Sequence, residues 1–229
     1  KNSDLWIAEA LFGFSHVKGL INNLKKESNI LEVGCGSGIL LSILAEEFTH
    51  HKFDGIEPFE KGFSSLKNLN DLVRRSGVQI KIETYEKSRS KELYDLIFCI
   101  NVFEHVEDWK HFLNWALENL NDDGVFLILC PNYGFPFESH FGFPLILNKK
   151  ITYHFFKNCI NKYEHDNDSY GLWNSLNFVK KKDVKSFYKK KNLTSKFKMY
   201  DDLTIIDDMV GRMSKDTQFR KRQSFLGKT

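Results

Sequence analysis

Residues 30–38 read ILEVGCGSG, a short apolar run followed by three glycines at alternate positions. The run at 30–33 is typical of a buried β-strand, and residues 39–48 have the spacing of an amphipathic helix. Glycine permits a positive φ and lets a ligand approach the backbone, and a helix start presents N–H groups without intrahelical partners. The stretch therefore predicts a strand, a ligand-binding turn and a helix in succession.

The same alternation continues along the chain. We predict strands over 52–56, 78–82, 94–100 and 125–130, and helices over 5–26, 59–76 and 109–120, with residues 121–124 as a turn. Alternating strands and helices build crossovers and a parallel sheet that is covered on both faces. The predicted fold class is doubly wound α/β, in which ligands bind at the carboxyl ends of the strands.

An acidic residue follows the second predicted strand. Glu57 stands 19 positions after Gly38, and a carboxylate at this place can accept both hydroxyls of a ribose. The alternative is a carboxylate that only marks the entry to a helix ahead of Pro58. The glycine turn before it favours ribose binding.

The composition indicates an ordinary globular domain. The chain has 229 residues, of which 41% are hydrophobic and 28% charged, so a disordered or collagen-like chain is excluded. Its four cysteines form no CxxC pair, which disfavours a zinc ribbon and favours free thiols in a reducing compartment. No apolar stretch approaches the roughly 20 residues of a membrane span, and residues 1–20 lack the layout of a secretion signal. We therefore expect a cytoplasmic protein.

Charge is distributed unevenly. Residues 180–229 carry 15 Lys and Arg against 6 Asp and Glu, whereas residues 1–179 carry 18 against 24. A basic end of this kind can meet RNA, an anionic lipid surface or a phosphorylated substrate. The alternative, which we favour, is a solvated lysine-rich helix at 180–191, so nucleic acid is not the expected partner.

Four stretches resemble the class I S-adenosylmethionine-dependent methyltransferases. ILEVGCGSGILLSILAE resembles their first motif, GIEP their acidic second motif, YDLIFCINVFEHVEDW their fourth strand with the helix after it, and DDGVFLILCPNY their fifth strand. A nicotinamide dehydrogenase more often has G-x-G-x-x-G, whereas Gly34, Gly36 and Gly38 follow the E-x-G-x-G-x-G spacing of the methyltransferases. The resemblance implies a Rossmann-like, mostly parallel sheet of seven or six strands, with the sixth at 193–200.

The resemblance also implies a domain plan and a cofactor. Residues 1–229 form one methyltransferase domain, with a helical cap at 1–28 and an aromatic-rich insertion or lid at 132–180 over the active site. The cofactor is S-adenosylmethionine, and the product is S-adenosylhomocysteine. The residues expected to bind it are Glu32, Gly34, Cys35, Gly36, Gly38, Glu57, Pro58 and Asn101.

A hydroxyl acceptor needs a base, and two histidines are candidates. His105 follows the fourth strand, and His140 lies in the loop after the fifth, where Glu138 is expected to orient it. The alternative for His140 is a packing role in an aromatic lid. A metal site built from Asn101, Glu104, His105 and His140 is a second alternative, but the resemblance favours catalysis without a metal.

The resemblance also indicates which chemical group accepts the methyl, because enzymes of this class with different acceptors carry different motifs. Enzymes of this class that methylate base amines or glutamine often carry Asp/Asn-Pro-Pro-Tyr/Phe after the fourth strand, where this chain has Asn101-Val102-Phe103-Glu104. The cytosine C5 enzymes need Pro-Cys, and Cys130-Pro131 is the reverse. O-methylation of a small molecule, sugar or glycan is favoured over N-methylation of a small amine. An RNA or protein methyltransferase that uses the basic segment, and a catalytically silent partner subunit, stay open.

Overall fold

A computed structural model describes residues 3–59, 78–88 and 92–192, together with Gly211. The helix predicted at 59–76 and the strand predicted at 193–200 lie almost entirely or entirely outside these residues. The helices are α1 Ser3–Ile21, α2 Ile39–Glu47, α3 Trp109–Glu118, α4 Lys149–Asp166, α5 Leu172–Ser175 and α6 Lys181–Lys190.

Five parallel strands form the main sheet of the described residues. They are β1 Asn29–Val33, β2 Lys52–Ile56, β3 Gln79–Lys81, β4 Tyr94–Ile100 and β5 Leu120–Leu129, in the order β3-β2-β1-β4-β5. The predicted doubly wound α/β fold is thereby confirmed. The order reverses between β1 and β4, so the turn after β1 lies at the topological switch point.

Helices α1 and α2 bury one face of the sheet. Leu96 and Phe98 of β4 are fully buried in one apolar cluster with Leu41 and Leu44 of α2 and Val17 of α1. A Cβ on Gly13 would lie 2.6 Å from a Leu40 methyl carbon and 2.8 Å from one of Ile100. The absence of a side chain at this position therefore lets α1 lie close against α2 and the end of β4.

Helix α3 packs against strand β5 of the sheet. The Asp108 side chain caps this helix by accepting the N–H of His111 at 3.0 Å. Phe112 is buried and packs edge-on against Phe126 of β5, with ring centroids 5.6 Å apart. Helix α2 connects β1 to β2 and helix α3 connects β4 to β5, as crossovers between parallel strands require.

Strand β5 begins earlier than predicted. The turn-like residues 121–124 lie within the strand, because Leu120 already pairs with Tyr94 and the register then shifts before Val125 pairs with Leu96. This irregularity accommodates the extra residues as a bulge. Asp95 stabilises this bulge, because its carboxylate accepts hydrogen bonds from the Asn121 side-chain amide at 2.8 Å and from the Asn29 backbone N–H at 2.8 Å.

The chain divides into two compact units. The first contains residues up to 130 and residues 168–177, and the second contains residues 131–167 and 178 onward. Residues 168–177, which we predicted to belong to the insertion, thus return to the unit that carries the parallel sheet. They form α5, whose Leu172 and Trp173 are buried.

The second unit has an aromatic core of its own. Strands β6 Phe137–Glu138 and β7 Phe143–Pro144 pair in an antiparallel ladder where only a loop was predicted. Phe143 stacks on Phe156 of α4 at a centroid distance of 4.3 Å, and Phe141 packs on Tyr163 at 4.9 Å. Many of the insertion's aromatic residues therefore stabilise this unit itself.

Among the helices that the structure describes, none combines the length and the apolar character needed to cross a bilayer.

Candidate cofactor-binding and catalytic sites

The glycine turn after β1 has the backbone that only glycine adopts readily. Gly34, Gly36 and Gly38 have φ values of 71°, 51° and 80°. The Gly34 N–H donates to the Ile56 carbonyl at 2.8 Å, which ties the turn to the end of β2. A Cβ on Gly34 would lie 2.4 Å from a methyl carbon of Val102, so the turn lies directly against the segment that follows β4.

The carboxylate of Glu57 is held at the end of β2. It is 7% exposed, and its two oxygens accept the N–H of Gly36 at 3.0 Å and the N–H of Phe59 at 2.9 Å. Burial raises its pKa, and these two backbone hydrogen bonds offset only part of that rise. Since each carboxylate oxygen accepts more than one hydrogen bond, Glu57 can still accept a diol.

A second acidic side chain lies beneath the turn. Glu32 of β1 is 5% exposed, and its Oε2 has no hydrogen-bond partner among the described residues. Burial, and then the nearby charge of Glu57, raise the pKa of Glu32 to about 8. Such a buried oxygen without a partner is costly unless a ligand donor satisfies it.

Cys35 contributes backbone to the turn, while its side chain packs inward. The residue is buried, and its sulfur would lie 2.8 Å from a Cβ on Gly55 of β2. Burial, followed by the charges of Glu32 and Glu57, raises the pKa of the thiol well above its usual range. The thiol is therefore a packing group under the turn. Pro58, next to Glu57, is partly exposed.

Asn101 ends β4 in the left-handed region, with φ of 55°. Asparagine tolerates this conformation better than most residues. Its backbone N–H donates to the Leu129 carbonyl at 2.8 Å, while the residue is exposed. The reversal of the chain at Asn101 brings Val102 against Gly34.

His105 closes a 3-10 turn, Phe103–His105, and residues from far along the chain hold that turn. The Asn177 side-chain amide donates to the carbonyls of Phe103 at 2.6 Å and Val106 at 2.9 Å. The backbone N–H of Asn177 donates to the Glu104 carbonyl at 2.7 Å. Three carbonyls of the turn are thus satisfied by one residue more than 70 positions away.

The imidazole of His105 is held by the same segment. Its Nδ1 lies 2.8 Å from the hydroxyl oxygen of Ser175 at the end of α5. Sequence analysis missed both Ser175 and Asn177, because no motif marks them. They act through the return of residues 168–177 to the first unit, which no local pattern predicts.

The other two predicted catalytic residues lie together in the second unit. Glu138 is fully buried, and its Oε1 lies 2.7 Å from Nδ1 of His140 and accepts the Tyr133 hydroxyl at 3.2 Å. Its Oε2 accepts the Phe141 N–H at 2.7 Å. A carboxylate that accepts Nδ1–H holds the ring in one orientation. The catalytic roles of His140 and Glu138 stay predictions.

The sequence of residues 12–201 matches the family model of a methyltransferase domain. The chain belongs to the class I S-adenosylmethionine-dependent methyltransferase family. The predicted family is thereby confirmed.

Curated relatives of this family member include an uncharacterized protein, Rv1509, of Mycobacterium tuberculosis strain H37Rv. The two are 31% identical over 188 residues, which are 79% of this chain and 62% of the relative. The ubiquinone biosynthesis O-methyltransferase of Rickettsia canadensis is 29% identical over 106 residues, covering 45% of this chain and 42% of that protein. The chain thus matches less than two thirds of the length of these relatives.

A solved structure with a similar fold is that of the plantazolicin methyltransferase BpumL in complex with S-adenosylhomocysteine. The TM-score is 0.52 at 14% identity, over 80% of this chain and 61% of that one. At this identity the likeness concerns the fold alone, and it extends over most of the chain.

Proposed function

We propose that this protein transfers a methyl group from S-adenosylmethionine to a hydroxyl of a small molecule, sugar or glycan. One observation carries the donor part of the proposal. At the topological switch point, the Glu57 carboxylate lies under the glycine turn and accepts the Gly36 N–H. Donor binding by Glu32, Gly34, Cys35, Gly36, Gly38, Glu57, Pro58 and Asn101 is part of this proposal.

The residues of the first unit fit this donor chemically. The buried Glu32 oxygen without a described partner suits the donor's ammonium group, which brings both a hydrogen and a positive charge. Glu57 suits the ribose diol, because its oxygens keep unused acceptor capacity. Gly34, Gly36 and Gly38 carry no side chains, which lets a donor approach the backbone of the turn.

The bound donor would supply an electrophilic methyl carbon attached to a sulfonium. The chain's task is then to hold the acceptor oxygen in line with that carbon and to remove its proton. The turn, Glu32 and Glu57 orient the methyl donor, and a histidine accepts the proton from the acceptor hydroxyl. His105 is the candidate base in the first unit, and His140, oriented by Glu138, is the candidate in the second.

Two observations support a hydroxyl acceptor. The segment after β4 has Val102, Phe103 and Glu104 in place of the proline-containing motif of amine-methylating enzymes. Curated relatives that match 45% and 56% of this chain include ubiquinone biosynthesis O-methyltransferases. A hydroxyl, unlike a neutral amine, requires a general base near neutral pH, and such a group is at hand in His105.

Calorimetry and turnover test this proposal together. We expect S-adenosylhomocysteine to bind the wild-type chain and NAD not to bind. A panel of phenols, catechols, sugars, amines and RNA is then offered with S-adenosylmethionine, and S-adenosylhomocysteine formation is measured. Methylation confined to hydroxyl compounds supports the proposal. Methylation of RNA, or donor binding without turnover on any acceptor, would replace it with the RNA methyltransferase or the silent-subunit alternative.

A further inference from the structure

The Ser175 hydroxyl lies between two hydrogen-bond partners within the first unit. Its hydroxyl donates to the Leu172 carbonyl at 2.7 Å, and the same oxygen lies 2.8 Å from Nδ1 of His105. A hydroxyl has one hydrogen to donate. With that hydrogen directed at the Leu172 carbonyl, the Ser175 oxygen faces Nδ1 as an acceptor, which favours a proton on Nδ1.

The consequence is a fixed tautomer of the imidazole. In neutral histidine one ring nitrogen is a donor and the other has a lone pair. With the proton on Nδ1, the lone pair is on Nε2, which is the proton-accepting form of that atom. The Glu104 carboxyl oxygen lies 3.9 Å from Nε2, which is too far for a hydrogen bond.

We propose that Ser175 is a positioning residue that holds His105 in the Nδ1-protonated tautomer, so that Nε2 can accept a proton. The inference rests on the proposed function for its catalytic meaning, since the proton is the one that the acceptor hydroxyl loses. As the oxygen bonds to the methyl carbon, the carbon–sulfur bond breaks with its electron pair on sulfur, and the proton moves to Nε2.

The placement of Ser175 follows from the backbone of its own segment. Gly171, with φ of 88°, starts α5 in the left-handed region, and the Ser175 N–H donates to the Gly171 carbonyl at 3.0 Å. Asn177, two residues later, holds the turn that carries His105. The same ten-residue segment, 168–177, therefore carries Ser175 and also holds the turn that carries His105.

Nuclear magnetic resonance tests the tautomer without any turnover. The full chain is labelled with ¹⁵N-histidine, and two-bond ¹H–¹⁵N spectra are recorded at pH 8, with the His105 signals assigned by their loss in His105→Gln. We expect a protonated, pyrrole-type Nδ1 and an unprotonated, pyridine-type Nε2 in the wild type. Ser175→Ala is expected to move the ring toward the Nε2-protonated form, and Ser175→Thr to keep the wild-type pattern.

Ser169→Ala is the matched control. Ser169 lies in the same segment, and its buried hydroxyl has no hydrogen-bond partner among the described residues. The same chemical change there is expected to leave the His105 signals unmoved. An Nε2-protonated ring in the wild type, or an unchanged ring in Ser175→Ala, overturns the inference.

Turnover gives the second readout. We expect kcat to fall about tenfold or more in Ser175→Ala, which is part of the roughly 10²–10⁴-fold that a general base contributes. The KM for the donor is expected to stay unchanged, and kcat to recover in Ser175→Thr. Wild-type kcat in Ser175→Ala overturns the positioning role. If the wild type transfers no methyl group to any acceptor, the proposed function fails, and the spectra alone decide whether Ser175 holds the tautomer.

Discussion

The carboxylate of Glu57 accepts the backbone N–H of Gly36 at 3.0 Å, which links the acid after β2 to the turn after β1. The two positions are 21 residues apart, and the parallel pairing of β1 with β2 brings their ends together. The acid therefore holds the turn in the conformation that a nucleoside ligand would meet. A change at Glu57 is expected to alter both ligand contacts and the turn.

Glu57→Ala is expected to weaken S-adenosylhomocysteine binding about ten- to hundredfold. Hydrogen bonds to a charged group are worth about 1.5–3 kcal/mol, and the variant removes the acceptor for the diol. Isothermal titration calorimetry measures the dissociation constant. Glu47→Ala on α2 is the control, because that carboxylate is exposed and pairs with Lys18 on the surface. Unchanged affinity in Glu57→Ala would remove Glu57 from the site.

Gly34→Ala is expected to lower the free energy of unfolding by about 2–5 kcal/mol. The left-handed backbone costs an alanine roughly 1–2 kcal/mol, and its Cβ would lie 2.4 Å from Val102, which adds an overpacking cost of about 1–3 kcal/mol. Urea denaturation followed by circular dichroism measures the loss.

Gly171→Ala separates the two causes. Gly171 has φ of 88°, but nothing lies within 4 Å of a Cβ placed there, so only the backbone cost of about 1–2 kcal/mol is expected. Val102→Ala combined with Gly34→Ala should recover part of the difference. Equal losses in Gly34→Ala and Gly171→Ala would show that the turn does not press against Val102.

Glu32 is expected to make the stability fall as pH rises. Its pKa is about 8 in the folded protein, against an ordinary value of 4.5 for this side chain. Between these values the folded chain holds a proton that the unfolded chain has lost, so the stabilisation present below pH 4.5 is lost progressively up to about pH 8. Glu32→Gln should flatten this fall in urea denaturation between pH 5 and 8. An equally steep fall in Glu32→Gln would contradict the raised pKa.

The same proton should be released when the donor or its product binds. An ammonium group next to Glu32 favours the carboxylate form, so binding at pH 7 is expected to release up to about one proton. Calorimetric titration of S-adenosylhomocysteine in two buffers of different ionisation enthalpy gives the proton count. The count should fall in Glu32→Gln, and an equal count in both proteins would place the ammonium elsewhere.

His140→Ala is expected to lower kcat by up to about hundredfold, because a ring that orients the acceptor affects turnover on this scale when it is lost, while product binding changes less than twofold. His154→Ala, on an exposed position of α4, is the matched histidine control. Normal turnover in His140→Ala would leave His140 with a packing role only.

Glu138→Ala is expected to cost about 2–4 kcal/mol of stability, because the buried carboxylate accepts hydrogen bonds from Tyr133, His140 and Phe141 and its loss leaves these donors without a partner. Tyr133→Phe removes a single hydrogen bond and should cost about 1 kcal/mol. Similar losses in both variants would show that Glu138 is not the centre of this network.

The sequence alone determined the parallel strands and the glycine turn. Strands β2 and β4 occur at the predicted residues, and three positive φ values occur at the predicted glycines. These features are local, because apolar runs, glycine positions and the acid after β2 each depend on a few consecutive residues. The place of Glu57 beside the turn then follows from the general rule for parallel sheets.

Tertiary structure alone decided what depends on distant contacts. The return of residues 168–177 to the first unit brings Ser175 to His105, 70 positions away. The burial that raises the pKa of Glu32 and the shift of register that takes residues 121–124 into β5 depend on neighbouring strands. Such features arise from the packing of segments far apart in sequence, where the spacing of side chains along the chain carries no signal.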